Sequence, residues 1–174
     1  MNLCVENEVL EIREFIESDL DDFSSIVGDP LSMKYCPNGK LDKQQAEKLF
    51  VTLLHYGKGN VGGLWAIEDK VINKVIGLVG LQECAVEDQL GASFVYRTLP
   101  EYFEYVQLKF IFIQFIEQLI VNYDLPEITA VIAKNNTSVI QLMESLNFEY
   151  SSLTVCNGIE SLLYLYLPPK INPQ

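Results

Sequence analysis

Apolar and polar residues alternate through "EVLEIREF", residues 8–15, and this period of two predicts a strand. The spacing turns helical over "SDLDDFSSIVGD". Ser18 stands there as an N-cap, acids fill the first turn, and Gly28 lies near the end. A second helix is predicted over "LDKQQAEKLFVTLLHYGKG". Asp42 caps it, Ala46, Leu49, Phe50, Leu53 and Leu54 share one face, and Gly57 and Gly59 stop it. "GLWAIED" and "KVIGLVGLQE" then read as a hairpin around Asn73, and "GASFVYRTL" is a further strand after the polar turn "VEDQ". A long apolar helix runs to about Tyr123, with Pro126 just beyond its end. "EITAVIA" is a strand, and "NNTSVIQLMESLNF" is a short helix with Leu142 and Leu146 on one face. Asn147 sits where a C-terminal cap needs a left-handed residue. "SSLTVCNGIESLLYLYL" is a closing hairpin that turns at Asn157-Gly158. The final "PPKINPQ", residues 168–174, cannot continue a strand and reads as a loose tail.

The predicted order is β-α-α-β-β-β-α-β-α-β-β. It describes one α/β (α+β) domain over residues 1–174, with a mixed, mostly antiparallel sheet, helices on both faces and one β-α-β crossover. The crossover makes the junction "LPEYFEYVQLKFI", residues 99–111, the natural ligand crevice.

Charge narrows the possible partners. Twelve Lys and Arg stand against 24 Asp and Glu, a formal net charge of -12. That balance argues against nucleic acid and against anionic membrane surfaces. It favours cationic acceptors such as amines or basic peptides by steering, or else serves solubility alone. Cys4, Cys36, Cys84 and Cys156 are too scattered for a zinc or C-x-x-C redox motif, and no cluster predicts a metal. His55 is the single histidine, late in the second helix, so schemes built on a Cys-His pair or a Ser-His-Asp triad drop out. The N-terminal segment has early acids and no long apolar run, and Phe110 to Val121 is broken by Gln114, Glu117 and Gln118. A soluble cytoplasmic protein is expected. The long helix is apolar nearly all round, which makes it a candidate homodimer or partner surface.

Four stretches, in order, resemble the GNAT acetyltransferases, and within them the branch that acetylates N-termini of ribosomal proteins and related amines. These are "WAIEDKVINKVIGLVGL", "YRTLPEYF", "NNTSVIQLMESLNF" and "NGIESLLYLYL". The resemblance covers nearly the whole chain. It implies acetyl-CoA as cofactor and a primary amine as acceptor, either a protein N-terminus or a small amine. It implies that the backbone of Tyr96, Arg97, Thr98 and Leu99 takes the pantetheine arm. Tyr105, Val106 and Gln107 then fall in the pyrophosphate loop, Asn135 holds the cofactor arm, and Ser138 lies near the sulfur. Glu83, at the end of a strand, is the candidate general base. Ser93 stands about where related chains often carry a glutamate, and Tyr150 is a second candidate acid. A plainer role for Asn135 is to cap its helix.

One loop departs from the family pattern. The two glycine positions that let phosphate approach the backbone hold Glu104 and Val106, and Glu101 lies close by. One carboxylate–phosphate repulsion there costs about 1 to 4 kcal/mol, depending on screening. Lys109 and Lys134 are the candidate offsetting charges. Three readings therefore stand side by side: an acetyl-CoA-dependent N-acetyltransferase, an acyltransferase with another thioester donor, and a GNAT-fold binding protein that has lost normal CoA pyrophosphate binding. The last predicts that Tyr102, Phe103 or Tyr105 fills the groove.

Overall fold

A computed structural model of the chain describes residues 3–56, 63–86, 89–156 and 158–168, with side chains of 83–92 left aside. The predicted stops at Gly57 and Gly59, the "VEDQ" turn, Asn157 and nearly all of the tail lie wholly or partly outside the described residues.

The elements run β1 (Val5–Glu6), β2 (Leu10–Arg13), α1 (Leu20–Gly28), α2 (Lys43–Tyr56), β3 (Leu64–Asp69), β4 (Lys74–Val86) and β5 (Gln89–Thr98). They continue α3 (Val106–Tyr123), β6 (Ile128–Ala133), α4 (Thr137–Ser145), β7 (Glu149–Cys156) and β8 (Ile159–Tyr166). One sheet takes the order β1-β2-β3-β4-β5-β6-β8-β7. Its pairs are antiparallel except β5 with β6, which are parallel, as the α3 crossover requires.

The expected order holds with one added strand. β1 is a two-residue edge piece, too short to show alternation in the sequence. Ser18 is not the cap of α1. A short 3-10 turn over Glu17–Asp19 precedes the helix, and the buried Asp19 carboxylate accepts the Ile16 N–H at 2.9 Å. Asp42 does cap α2, through a reciprocal pair with Gln45, each bond 2.9 Å.

Two apolar layers enclose the sheet. Phe23, Ile26, Ala46 and Phe50 from α1 and α2 pack on Ala66, Val75 and Leu78. On the predicted face of α2, Leu49 is the exception and is exposed. Leu108, Ile111, Phe112, Phe115 and Leu119 from α3 cover the other face, against Trp65, Ile67, Val79 and Leu81. Adjacent residues Val75 and Ile76 serve opposite layers because the strands alternate, and a bulge between Ile67 and Glu68 then shifts the phase. Gly77 brings β4 and β5 close: a Cβ there would stand 2.5 Å from the Arg97 carbonyl oxygen. α3 is not buried all round, because Val106, Phe110 and Val121 are exposed.

Two helix ends follow from single residues. Asn147 is left-handed (φ 66°), with Phe148 N–H to Met143 O at 3.0 Å and Asn147 N–H to Glu144 O at 3.1 Å, a Schellman closure of α4. Asp124 does the same for α3 (φ 49°). Arg13 clamps the start of α1 to the sheet. It grips the Asp19 carboxylate with both terminal nitrogens (2.7 and 3.0 Å) and Glu68 through Nε (2.5 Å). Asp19 above all holds the guanidinium above its ordinary pKa, with burial opposing.

Candidate active site

Among the described residues β5 and β6 meet at one register position, Ser93 opposite Thr129. At the same offset Val95 would face Val131 and Arg97 would face Ala133. These residues instead line two walls of a cleft of about 330 Å³. The cleft is a consequence of the ladder stopping while both strands continue.

Backbone direction in β5 follows from one bond. The Leu99 N–H donates to Ile76 O on β4 (2.9 Å), so by alternation the backbone groups of Thr98 and Tyr96 turn toward β6. Both cleft-facing carbonyls already have donors. Ser32 Oγ donates to Thr98 O at 2.8 Å, and Arg97 Nη1 donates to Tyr96 O at 2.6 Å. The N–H groups of Tyr96 and Thr98 face the same side and can serve carbonyl acceptors of an extended ligand.

The segment between α1 and α2 forms the roof. Asp29 organises it by accepting from Leu31 N–H (2.9 Å) and Ser32 N–H (2.7 Å), and it shares the single Ser32 hydroxyl proton, with Oγ 3.0 Å away, with Thr98 O. The Ser32 N–H, above all, holds the Asp29 carboxyl below its ordinary pKa, against the smaller effect of burial. Leu31, Ser32, Lys34 and Tyr35 line the cleft from this side. The Tyr35 hydroxyl spans the mouth and donates to Asn135 O at 3.4 Å. Arg97 Nε donates to Cys36 Sγ at 3.0 Å, which ties the roof to β5.

The opposite rim is the start of α4. Asn136 is its N-cap position, without a side-chain cap bond, and Asn136, Ser138 and Val139 line the cleft. Asn135 is exposed and one residue too early to cap the helix; its carbonyl is what the Tyr35 hydroxyl reaches.

Of the residues singled out in the sequence, Tyr96, Arg97, Thr98 and Ser138 come together on the cleft. Leu99, Tyr105, Val106, Gln107 and Asn135 do not line it. Glu83 pairs its backbone with Ala92, and its side chain lies outside the described residues. No carboxylate or histidine lines the cleft among the described residues. His55 is exposed, with Nδ1 2.8 Å from Val51 O on its own helix. Burial pushes the Tyr96 hydroxyl up to about 12, against the lowering effect of Arg97, so it stays protonated at neutral pH. Ser93 is buried, and Tyr150 packs edge-on against Tyr164 on the outer strands. Sequence reasoning missed Ser32, Lys34 and Tyr35. They lie between two helices without periodic signal, and only the long-range Ser32–Thr98 bond brings them here.

The helix end that the resemblance marks for phosphate is poorly furnished. Glu101, Glu104 and Val106 are exposed around it. The Tyr105 N–H is spent on Tyr102 O (3.1 Å) and the Leu108 N–H on Tyr105 O (3.0 Å). Tyr102 and Tyr105 pack edge-on against each other, with ring centroids 5.5 Å apart, and do not fill the cleft. Only Phe103 of that group lines it.

The Acetyltransferase (GNAT) domain family model matches residues 10–149, which includes both cleft walls and the whole of α4. The chain belongs to the GNAT acetyltransferase family. No curated protein matches it by sequence. Solved GNAT structures share its fold at low identity. A GNAT-family acetyltransferase from Bacillus anthracis superposes with a TM-score of 0.79 at 16% identity, covering 95% of this chain and 98% of that one. Ribosomal-protein-S5-alanine acetyltransferase from Vibrio fischeri gives 0.77 at 16% identity over 98% and 100%. Spermidine N-acetyltransferase from Vibrio cholerae, solved with CoA and spermine, gives 0.74 at 20% identity over 92% and 96%. This GNAT chain is an acetyltransferase-type enzyme of mixed α/β fold. Among its described residues no helix is long and apolar enough to cross a membrane, and no group of His, Cys, Asp or Glu is placed to hold a metal.

Proposed function

We propose that the chain transfers an acetyl group from acetyl-CoA to a primary amine, on a protein N-terminus or a small molecule. The observation that carries this is the open cleft between β5 and β6 beyond the Ser93–Thr129 bridge. Acetyl-CoA supplies an activated acetyl thioester and, in its arm, amide carbonyls. The N–H groups of Tyr96 and Thr98 would hold those carbonyls and lay the arm along β5. Leu99 extends that strand end, and Asn135 and Asn136 fix the facing rim. Ser138 stands at the first turn of α4, exposed to the cleft. A hydroxyl is too weak an acid to give up its proton outright at neutral pH, so its role is to pass a proton toward the departing sulfur. Glu83 on β4 is the proposed base that keeps the amine neutral. The named relatives act on ribosomal protein S5 alanine and on spermidine. Both acceptor types therefore belong in the test.

The test follows thiol release from acetyl-CoA, with spermidine and with peptides carrying free N-termini, and identifies the product by mass. Acetylation of one acceptor is the expected result. Ser138→Ala should then lower kcat by roughly 10² with little change in KM. No thiol release above background with any acceptor, from folded protein, would overturn the proposal.

A further inference from the structure

The two edges of the sheet are built differently. β1, at one edge, is two residues long, and its shortness protects it. β7, at the other, has eight residues. It pairs with β8 on one side, and among the described residues no strand pairs with its outer side. Its side chains are also reversed for an edge in water. Ser152, Thr154 and Cys156 are half-buried, while Leu153 and Val155 are 60% and 65% exposed.

An open strand edge offers unpaired N–H and C=O groups to any other strand, and proteins guard such edges with charges, prolines or bulges. In β7 a bulge between Tyr150 and Ser152 and the carboxylate of Glu149 guard only the start. Residues 150–159 contain no charge and no proline, in a chain where 21% of residues are charged. The same absence of charge selects the partner. A basic peptide finds no carboxylate there to pair with. A second copy carries the same net charge of -12, and two such chains repel least where each is neutral. The exposed side of α3 is less suited, because Gln114, Glu117 and Gln118 lie exposed between Phe110 and Val121.

We infer that β7 is a self-association edge, through which two copies of the chain join as antiparallel strands about a two-fold axis at Thr154. In that register Leu153 faces the partner's Val155, and Val155 faces the partner's Leu153. Directly opposed residues share a face, so four apolar side chains that are exposed in one copy meet on one side of the joined sheet. The contact also reaches the cleft wall. Ile132, which lines the cleft, pairs with Leu162, and Leu162 pairs with Leu153 in the same cross-strand row.

The experiment measures the mass of the purified full chain by light scattering and sedimentation over a dilution series. A dimer that dissociates on dilution is expected. Leu153→Lys and Val155→Lys place a natural edge guard on β7, and each should weaken the dimer about tenfold or more. Val121→Lys makes the same change on α3, where the side chain is 78% exposed, and should leave the dimer unchanged. All three positions are exposed, so the variants keep their fold, which circular dichroism checks. Hydrogen exchange of residues 152–156 should slow as concentration rises, which a contact elsewhere would not produce. A wild type that stays monomeric in concentrated solution overturns the inference and leaves the edge to an unlike chain. A dimer that survives both β7 variants, or that Val121→Lys dissociates instead, overturns it as well. The proposed function stands in either case.

Discussion

Thr98 is 1% exposed, and its hydroxyl is buried without a hydrogen-bond partner. Its Cγ2 lies against Gly77, 2.8 Å from where a Cβ would stand. Leaving such a hydroxyl unpaired costs about 1 to 3 kcal/mol. Thr98→Val keeps the branched shape and replaces the hydroxyl by a methyl, which adds about 0.8 kcal/mol of apolar burial. The larger methyl in place of the hydroxyl takes back about 1 kcal/mol. The variant is expected to be more stable by about 1 to 3 kcal/mol, a rise in Tm of roughly 2 to 12 °C at this chain length. Urea unfolding measures it. Trp65 is the single tryptophan and is buried against Phe115, so its fluorescence reports loss of the core. The midpoint should rise with an unchanged m value. A midpoint lowered by the equivalent of 1 kcal/mol would show that the hydroxyl has a partner, and the reasoning would fail. In the proposed donor site Tyr96 and Thr98 front the arm, so the same variant reports on binding. Unchanged KM for acetyl-CoA means that the hydroxyl plays no part in holding it.

Three further outcomes follow from the geometry. Arg13→Met strands the Asp19 and Glu68 carboxylates beside each other. Because Arg13 retains 20% side-chain exposure, the loss is expected near 2 to 3 kcal/mol by urea unfolding, below that of a fully buried pair. Gly77→Ala forces a methyl onto the Arg97 carbonyl, and a loss of about 2 kcal/mol or more is expected in the same assay. The Asp29 carboxyl titrates below its unfolded value of about 3.9, so its contribution is complete above that pH and disappears as pH falls through the lower, folded value. Acid titration followed by Tyr35 NMR signals should show the roof loosening in that window, and Asp29→Asn should abolish the transition.

Much of this architecture is readable because its causes are local. The apolar face of α2, its Asp42–Gln45 cap and the left-handed Asn147 each depend on residues within four positions. The entry to α1 was misread because Ser18 is an ordinary cap by type. The winning acceptor is Asp19, and it is positioned by Arg13 from a strand. The site divides the same way. Tyr96 to Thr98 and Ser138 sit on regular elements that carry the family resemblance, and the resemblance is what marks them. The roof has no such mark, because Ser32 reaches Thr98 across 66 residues and nothing in "LSMKYC" announces that bond. The carboxylate-free lining, with Lys34 and Arg97 in it, was equally hidden. Net charge describes the whole surface, whereas a cleft samples only the few side chains that the fold turns inward.

Among the described residues one bridge joins β5 to β6, and it divides the sheet into two plates, β1 to β5 on one side and β6, β8 and β7 on the other. Beyond Ser93 and Thr129 the plates are joined by side-chain packing, the α3 crossover and the Tyr35 tie across the mouth. In the proposed complex a donor lying between them would act as the missing rungs, its amides taking the hydrogen bonds that the diverging strands cannot give each other. Its occupancy therefore enters the folding equilibrium directly, adding about 2.7 kcal/mol at a hundredfold excess over Kd. On the proposed reading, the bound donor rivets the two plates that the sheet itself leaves almost unjoined.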